Sequence, residues 1–179
     1  MKLHPGIKKV VLNYGASGAL MMVLAFTVFY FLDQQPWRNL ISFLLDGVII
    51  GFFLVLAIRE FKVRFNSNEL RFYHGMTVGF LSFTLMAALY AMAFALFIYV
   101  LSPDFIDLYI ELAIEDLESR KAILTENIDK DPEAFMTEQI SNVKSITRSQ
   151  IILDVFLKRL FIGFFFTPVI SIVFRTNQS

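Results

Sequence analysis

The sequence predicts an all-α, polytopic membrane protein with four transmembrane helices and a helical extramembrane hairpin between the third and the fourth. Three observations carry that expectation. The composition is 56% hydrophobic and only 18% charged, against roughly 45–50% apolar and about 25% charged in a soluble domain. The apolar residues gather into four long runs, and the acids concentrate in one stretch between the third run and the fourth. A core built from 179 residues cannot hide that surplus, because a soluble domain of about this size still leaves near a third of its unfolded-chain surface facing water.

Val10 to Leu32 is the first span, 23 residues without a charge, against the roughly 20 that cross the hydrocarbon. A cleaved signal peptide is the rival reading, since Lys2, Lys8 and Lys9 supply a positive leader. The apolar run is longer than a signal core of about 7–15 residues, and no A-x-A-like site closes it. Asp33-Gln34-Gln35-Pro36 breaks the run, and Trp37 with Arg38 marks a membrane border. Asn39 to Ile58 is the second span, with Asp46 its one charge; Gly75 to Leu101 is the third, with none. Pro103 ends or bends that helix. His4 and His74 read as polar residues beside spans.

Residues 102–150 hold eleven acids and five bases, the pattern of a water-exposed insert. Ile106, Ile110, Ala113 and Leu117 recur at helical spacing opposite Asp104, Asp107, Glu111, Glu115 and Glu118, so Pro103 to about Leu124 reads as an amphipathic helix. Its apolar side can pack on a second helix, lie on the bilayer or meet a partner. After a turn at Asn127 to Pro132, Asp131 caps that second helix, and whether it breaks before the last span or runs on into it is left open. That span is Ile151 to Phe174, with Asp154, Lys158 and Arg159 in its first third and Pro168 expected to kink it. The chain thus divides into residues 1–101, 102–150 and 151–179.

Cations set the expected orientation. Lys2, Lys8, Lys9, Arg59, Lys62, Arg64, Arg71 and Arg175 fall on one side, and Arg38 is alone in the short loop on the other. The positive-inside bias makes the first side, with both termini, cytoplasmic, and puts the acidic insert outside, in the periplasm of a double-membraned bacterium.

No motif for catalysis emerges: there is no G-x-S-x-G, no H-E-x-x-H and no phosphate-binding glycine loop. The expectation is a non-enzyme with no cofactor. Zero Cys removes disulfide and thiolate chemistry, and a formal net charge of zero gives no pull toward nucleic acid. Small residues speak of packing instead. Gly75, Gly79, Ala87, Ala91 and Ala95 share one i+4 register interrupted by Phe83, and Gly47 with Gly51 forms a G-x-x-x-G. Packing inside the bundle is favoured over a homo-oligomer seam, because the third span must contact its own chain.

Asp46 is the foremost candidate site, since an ionisable group at membrane depth needs a partner or a water-filled cavity. It sits about seven residues, roughly 10 Å, inside its span, and Lys158 lies at the same depth in the fourth. An interhelical pair of Asp46 with Lys158, or failing that Arg159, is therefore expected, with Asp154 a local competitor for Lys158. The acidic stripe at Asp104, Asp107, Glu111, Glu115 and Glu118 is a solvated face or a docking surface; it lacks the loop and glycine of a calcium site.

Ala57-Ile58-Arg59-Glu60-Phe61, the re-entry Arg71 to Gly79, and Pro103-Asp104-Phe105 opening an acidic insert resemble a bacterial family of four-span membrane proteins, the domain of unknown function DUF 4199. The resemblance runs from about residue 45 to the end, and the charges of the fourth span depart from it. It implies a bacterial inner membrane location, no known activity, and an accessory role in envelope assembly beside a membrane glycosyltransferase. The leading expectation is a non-catalytic scaffold in the lipid bilayer that binds another membrane protein through the insert. The alternative is a small-solute or ion transporter using Asp46, lined by Asn13, Tyr14, Thr77 and Ser82 and closed by oligomerisation.

Overall fold

In the computed structural model, which describes residues 5–32, 39–126 and 131–176, every regular element among the described residues is helical. Seven α-helices follow in order: α1 Pro5–Phe31, α2 Leu40–Glu60, α3 Phe72–Leu96, α4 Phe105–Ser119, α5 Lys121–Thr125, α6 Pro132–Lys144 and α7 Arg148–Phe174. One wide π-helical turn extends α2 over Phe61–Phe65, and another extends α3 over Phe97–Leu101. With those turns the four long helices measure 27, 26, 30 and 27 residues, enough to cross a bilayer. No more than 39% of the most apolar window of any of them is buried by the chain itself. Residues such as Phe31, Val48, Phe161 and Val173 stay exposed, and a surface of that kind is stable against lipid, not water.

The chain divides into two compact units, Met1–Phe94 with Asp154–Ser179, and Ala95–Leu153. In the first, α1 packs on α2, and Gly15 and Gly18 bring it against Leu85 and Met86 of α3. Helix α7 closes the bundle against α3 through Gly75 and Gly79 and against α2 through Asp46. The start of α1, the end of α2 and the end of α7 share one border: Gly6 lies against Phe65, Lys62 Nζ donates to Phe174 O at 3.0 Å, and Thr176 N donates to Leu70 O at 2.9 Å. The Lys62 contact places a cation on the carbonyls that end α7, where the helix dipole favours it. Between α2 and α3 the chain reverses at Ser67 and Asn68, with φ of 51° and 63°, the left-handed conformation that Asn tolerates better than most residues.

The packing of α3 on α7 explains the interruption at Phe83. A side chain at Gly75 would meet Ser171, and one at Gly79 would meet Thr167. One turn further the roles reverse, and the missing side chain is that of Gly163, under the ring of Phe83. Each four-residue step up α3 is answered by a four-residue step down α7, which is the register of antiparallel helices in close approach. Gly47 and Gly51 behave otherwise. A Cβ there would stand 3.9 and 3.8 Å from Ile162 and Phe166, ordinary van der Waals contact, so the G-x-x-x-G of the second span is no close-approach seam within the chain.

In the second unit α4 packs on α6, the first of the three placements open to the apolar side of the amphipathic helix. Phe105 is the buried side chain of α4 and Met136 that of α6, with Phe97 edge-on to Phe105. The helix does not reach Leu124 unbroken: Arg120 separates α4 from α5. Asp131 caps α6 by accepting from Ala134 N at 3.2 Å, with Pro132 at the first position. Nor does α6 run on into the last span. It ends at Lys144, and α7 starts anew behind a reciprocal cap, Thr147 N to Gln150 Oε1 at 2.7 Å and Gln150 N to Thr147 Oγ1 at 3.4 Å. Thr147-Arg148-Ser149-Gln150 is a capping box in plain sequence, and it stops one helix as it begins the next. Helix α7 continues through Pro168. The border residues 33–38, the turn at 127–130, His4 and Lys2 lie outside the described residues.

Candidate functional site

Three spans converge on one buried polar cluster. From α7, Arg159 Nη2 donates to Asp46 Oδ2 of α2 at 2.5 Å, while Nη1 donates to Val155 O, one turn back on its own helix, at 3.0 Å. The guanidinium carbon lies 3.8 Å from the ring centroid of Tyr90 on α3. Asp46 is 4% exposed and Arg159 8%. Burying an ion pair is unfavourable unless further groups satisfy it; here the Val155 carbonyl and the Tyr90 face supply a hydrogen bond and a cation–π contact. Tyr90 is itself held by Phe26 and Phe94, with centroid distances of 6.3 and 6.5 Å. No charge or spacing in the third span singles out Tyr90, and sequence reasoning misses it.

Lys158, the first partner expected for Asp46, is placed elsewhere. Its ammonium pairs with Asp154 at 2.6 Å, and both side chains are about half exposed. Adjacent helical residues point about 100° apart, so a single rotation of α7 can send only one of the two cations inward. Arg159, Gly163, Thr167 and Ser171 are all buried, which puts the i+4 stripe of Arg159 against the bundle. Gly163, Thr167 and Ser171 form the small-residue side of α7, a sequence signal that selects Arg159.

The other candidate residues scatter. Asn13 is exposed, Tyr14 donates its hydroxyl to Glu60, and Thr77 Oγ1 donates to Tyr73 O at 2.8 Å. Ser82 is fully buried, and its Oγ has no hydrogen-bond partner among the described residues. Ala87 and Ala91 are buried on α3, and Ala95 is partly so. On the insert, Asp104, Asp107, Glu111, Glu115 and Glu118 are exposed, and no group of three His, Cys, Asp or Glu side chains gathers to hold a metal among the described residues.

Fold and site together define a four-span helical membrane protein with a buried interhelical ion pair. The chain belongs to the family described as Protein of unknown function (DUF4199), which matches residues 13–176. No curated protein and no solved structure matches it.

Proposed function

We propose that this chain is a non-catalytic accessory or scaffold subunit of an envelope-associated complex in the bacterial inner membrane, with the acidic insert as its docking surface. The observation that carries this reading is the state of α4. Its apolar side is met by α6, while Asp107, Glu111, Glu115 and Glu118 stay exposed, so what the insert presents is an acidic helical face fit for a basic partner. The resemblance of the chain suggests a membrane glycosyltransferase as that partner. Against the transporter reading stands the engagement of Asp46 by Arg159, which leaves the carboxylate no free charge to offer an ion.

Photo-crosslinking groups at Glu111 and Glu115 in native membranes are expected to capture one discrete second polypeptide, and Glu111→Lys with Glu115→Lys to abolish its co-purification. A chain that crosslinks only to itself, or a partner that survives both charge reversals, overturns the docking role.

Orientation rests on the shared border of α1, α2 and α7, which gathers Lys8, Lys9, Arg59, Lys62, Arg64 and Arg175 near one surface. Reporter fusions after Phe65 and after Ser179 are expected to read as cytoplasmic, and fusions at Asp129 as external. A cytoplasmic signal at Asp129 inverts the topology and removes the periplasmic docking idea with it.

A further inference from the structure

At the border where α7 ends and α3 begins, a cleft of about 690 Å³ is lined by Arg71, Arg175 and Glu69 together with Phe72, Tyr73 and Thr176. We propose that this cleft holds the headgroup of a phospholipid that carries both a phosphodiester and a primary ammonium, as phosphatidylethanolamine does. Two guanidinium groups supply the planar, forked donors that suit phosphate oxygens, and neither forms an ion pair among the described residues. The N-terminal end of α3 adds a partial positive charge on the same side. Glu69 would repel a purely anionic headgroup; beside two arginines it matches an ammonium placed a few bonds from the phosphate.

Position selects a lipid over a soluble phosphate compound. Phe72 and Tyr73 are exposed at the first turn of one span, and Ile172 and Val173 are exposed in the last turn of the other. Aromatic rings are favoured at headgroup level and aliphatic side chains just below it, so the surroundings accommodate the glycerol and acyl portions as well as the charges. The walls of the cleft are fixed. Leu70 N donates to Thr176 Oγ1 at 2.9 Å, Thr176 N donates back to Leu70 O at 2.9 Å, and Asn66 Nδ2 donates to Glu69 O at 2.6 Å. Those bonds fix the backbone at Leu70 and Thr176, beside Arg71 and Arg175, and at Glu69, so the three exposed charged side chains project from a set frame.

The test is calorimetric titration of the full-length protein in detergent with dihexanoyl phosphatidylethanolamine, dihexanoyl phosphatidylglycerol and inorganic phosphate. The ethanolamine lipid is expected to bind most tightly and phosphate least. A basic residue near a lipid surface contributes about 1 kcal/mol, so Arg71→Gln and Arg175→Gln should each weaken both lipids about fivefold. Glu69→Gln should weaken the ethanolamine lipid, strengthen the glycerol lipid and so reverse their order. Phosphatidylglycerol binding as tightly as the ethanolamine lipid to the unaltered protein overturns the proposal. So does phosphate binding equal to lipid, or an order left unchanged by Glu69→Gln. Should an arginine variant lower the unfolding midpoint, the selectivity ratio of Glu69→Gln decides, because it compares two lipids on one folded protein.

Discussion

Arg159→Ala is expected to be the most destabilising single change in the bundle, at about 3–5 kcal/mol, because it leaves the Asp46 carboxylate buried without its cation. The same substitution removes the cation lying 3.8 Å from the Tyr90 centroid, a contact that contributes about 2 kcal/mol when desolvated. Asp46→Asn should cost less, since an amide keeps a hydrogen-bond acceptor near the guanidinium. Combining Asp46→Asn with Arg159→Ala should cost less than the sum of the two single losses, and the coupling in that double-mutant cycle measures the pair. Lys158→Gln provides the contrast. Its ammonium meets Asp154 on the outside of the same helix, with both side chains about half exposed, so removing it should cost less than Arg159→Ala, since the Asp154 left behind lies near the end of the span and is not enclosed by the bundle. Unfolding in mixed micelles with increasing denaturing detergent reads all four variants. Equal losses for Lys158→Gln and Arg159→Ala would show that depth, not the facing of α7, sets the cost.

The four spans were legible because length and apolarity are properties of single segments. Charge-free runs such as 10–32 and 75–101 need no tertiary information to read as membrane-crossing. The polar cluster was half legible for a different reason. Asp46 stands alone in its span and declares itself, but the choice between Lys158 and Arg159 is a rotation of α7 by about 100°. That rotation is set by Gly163, Thr167 and Ser171 against α3, residues that carry no charge and attract no notice beside a run of phenylalanines. Tyr90 was invisible because an aromatic side chain in an aromatic-rich span has the same pattern whether it faces lipid, a neighbour or a guanidinium. The break between α6 and α7 could have been seen, since Thr147 and Gln150 have capping-box spacing. The wide turns that extend α2 and α3 over Phe61–Phe65 and Phe97–Leu101 left no comparable trace in the sequence.

The second large effect concerns two glycines that look alike in sequence and differ in surroundings. Gly163→Ala would place its Cβ 2.2 Å from Phe83 Cγ, where no carbon can sit, whereas Gly51→Ala would place its Cβ 3.8 Å from the Phe166 ring. Phe83 is 2% exposed, so its ring has little free space into which to rotate, and the α3–α7 interface must open instead. Overpacking of this kind costs about 1–3 kcal/mol. Gly79→Ala, with its Cβ 2.4 Å from Thr167 Cγ2, belongs to the same class and should fall in the same range. At Gly51 the added methyl meets only ordinary contact, and alanine is about 1 kcal/mol better than glycine in a helix interior. Gly51→Ala is therefore expected to be neutral or stabilising, although its G-x-x-x-G motif is the more conspicuous of the two in the sequence. If the clash is the cause, shrinking the opposing side chain should relieve it: Phe83→Leu combined with Gly163→Ala should be more stable than the sum of the two single losses allows. Strictly additive losses would mean that Gly163 matters for its own backbone and not for the ring above it. A Gly51→Ala loss as large as that of Gly163→Ala would instead locate a close seam on α2, on a surface that α7 leaves in loose contact within one chain, and would point to a second copy of the protein packing there.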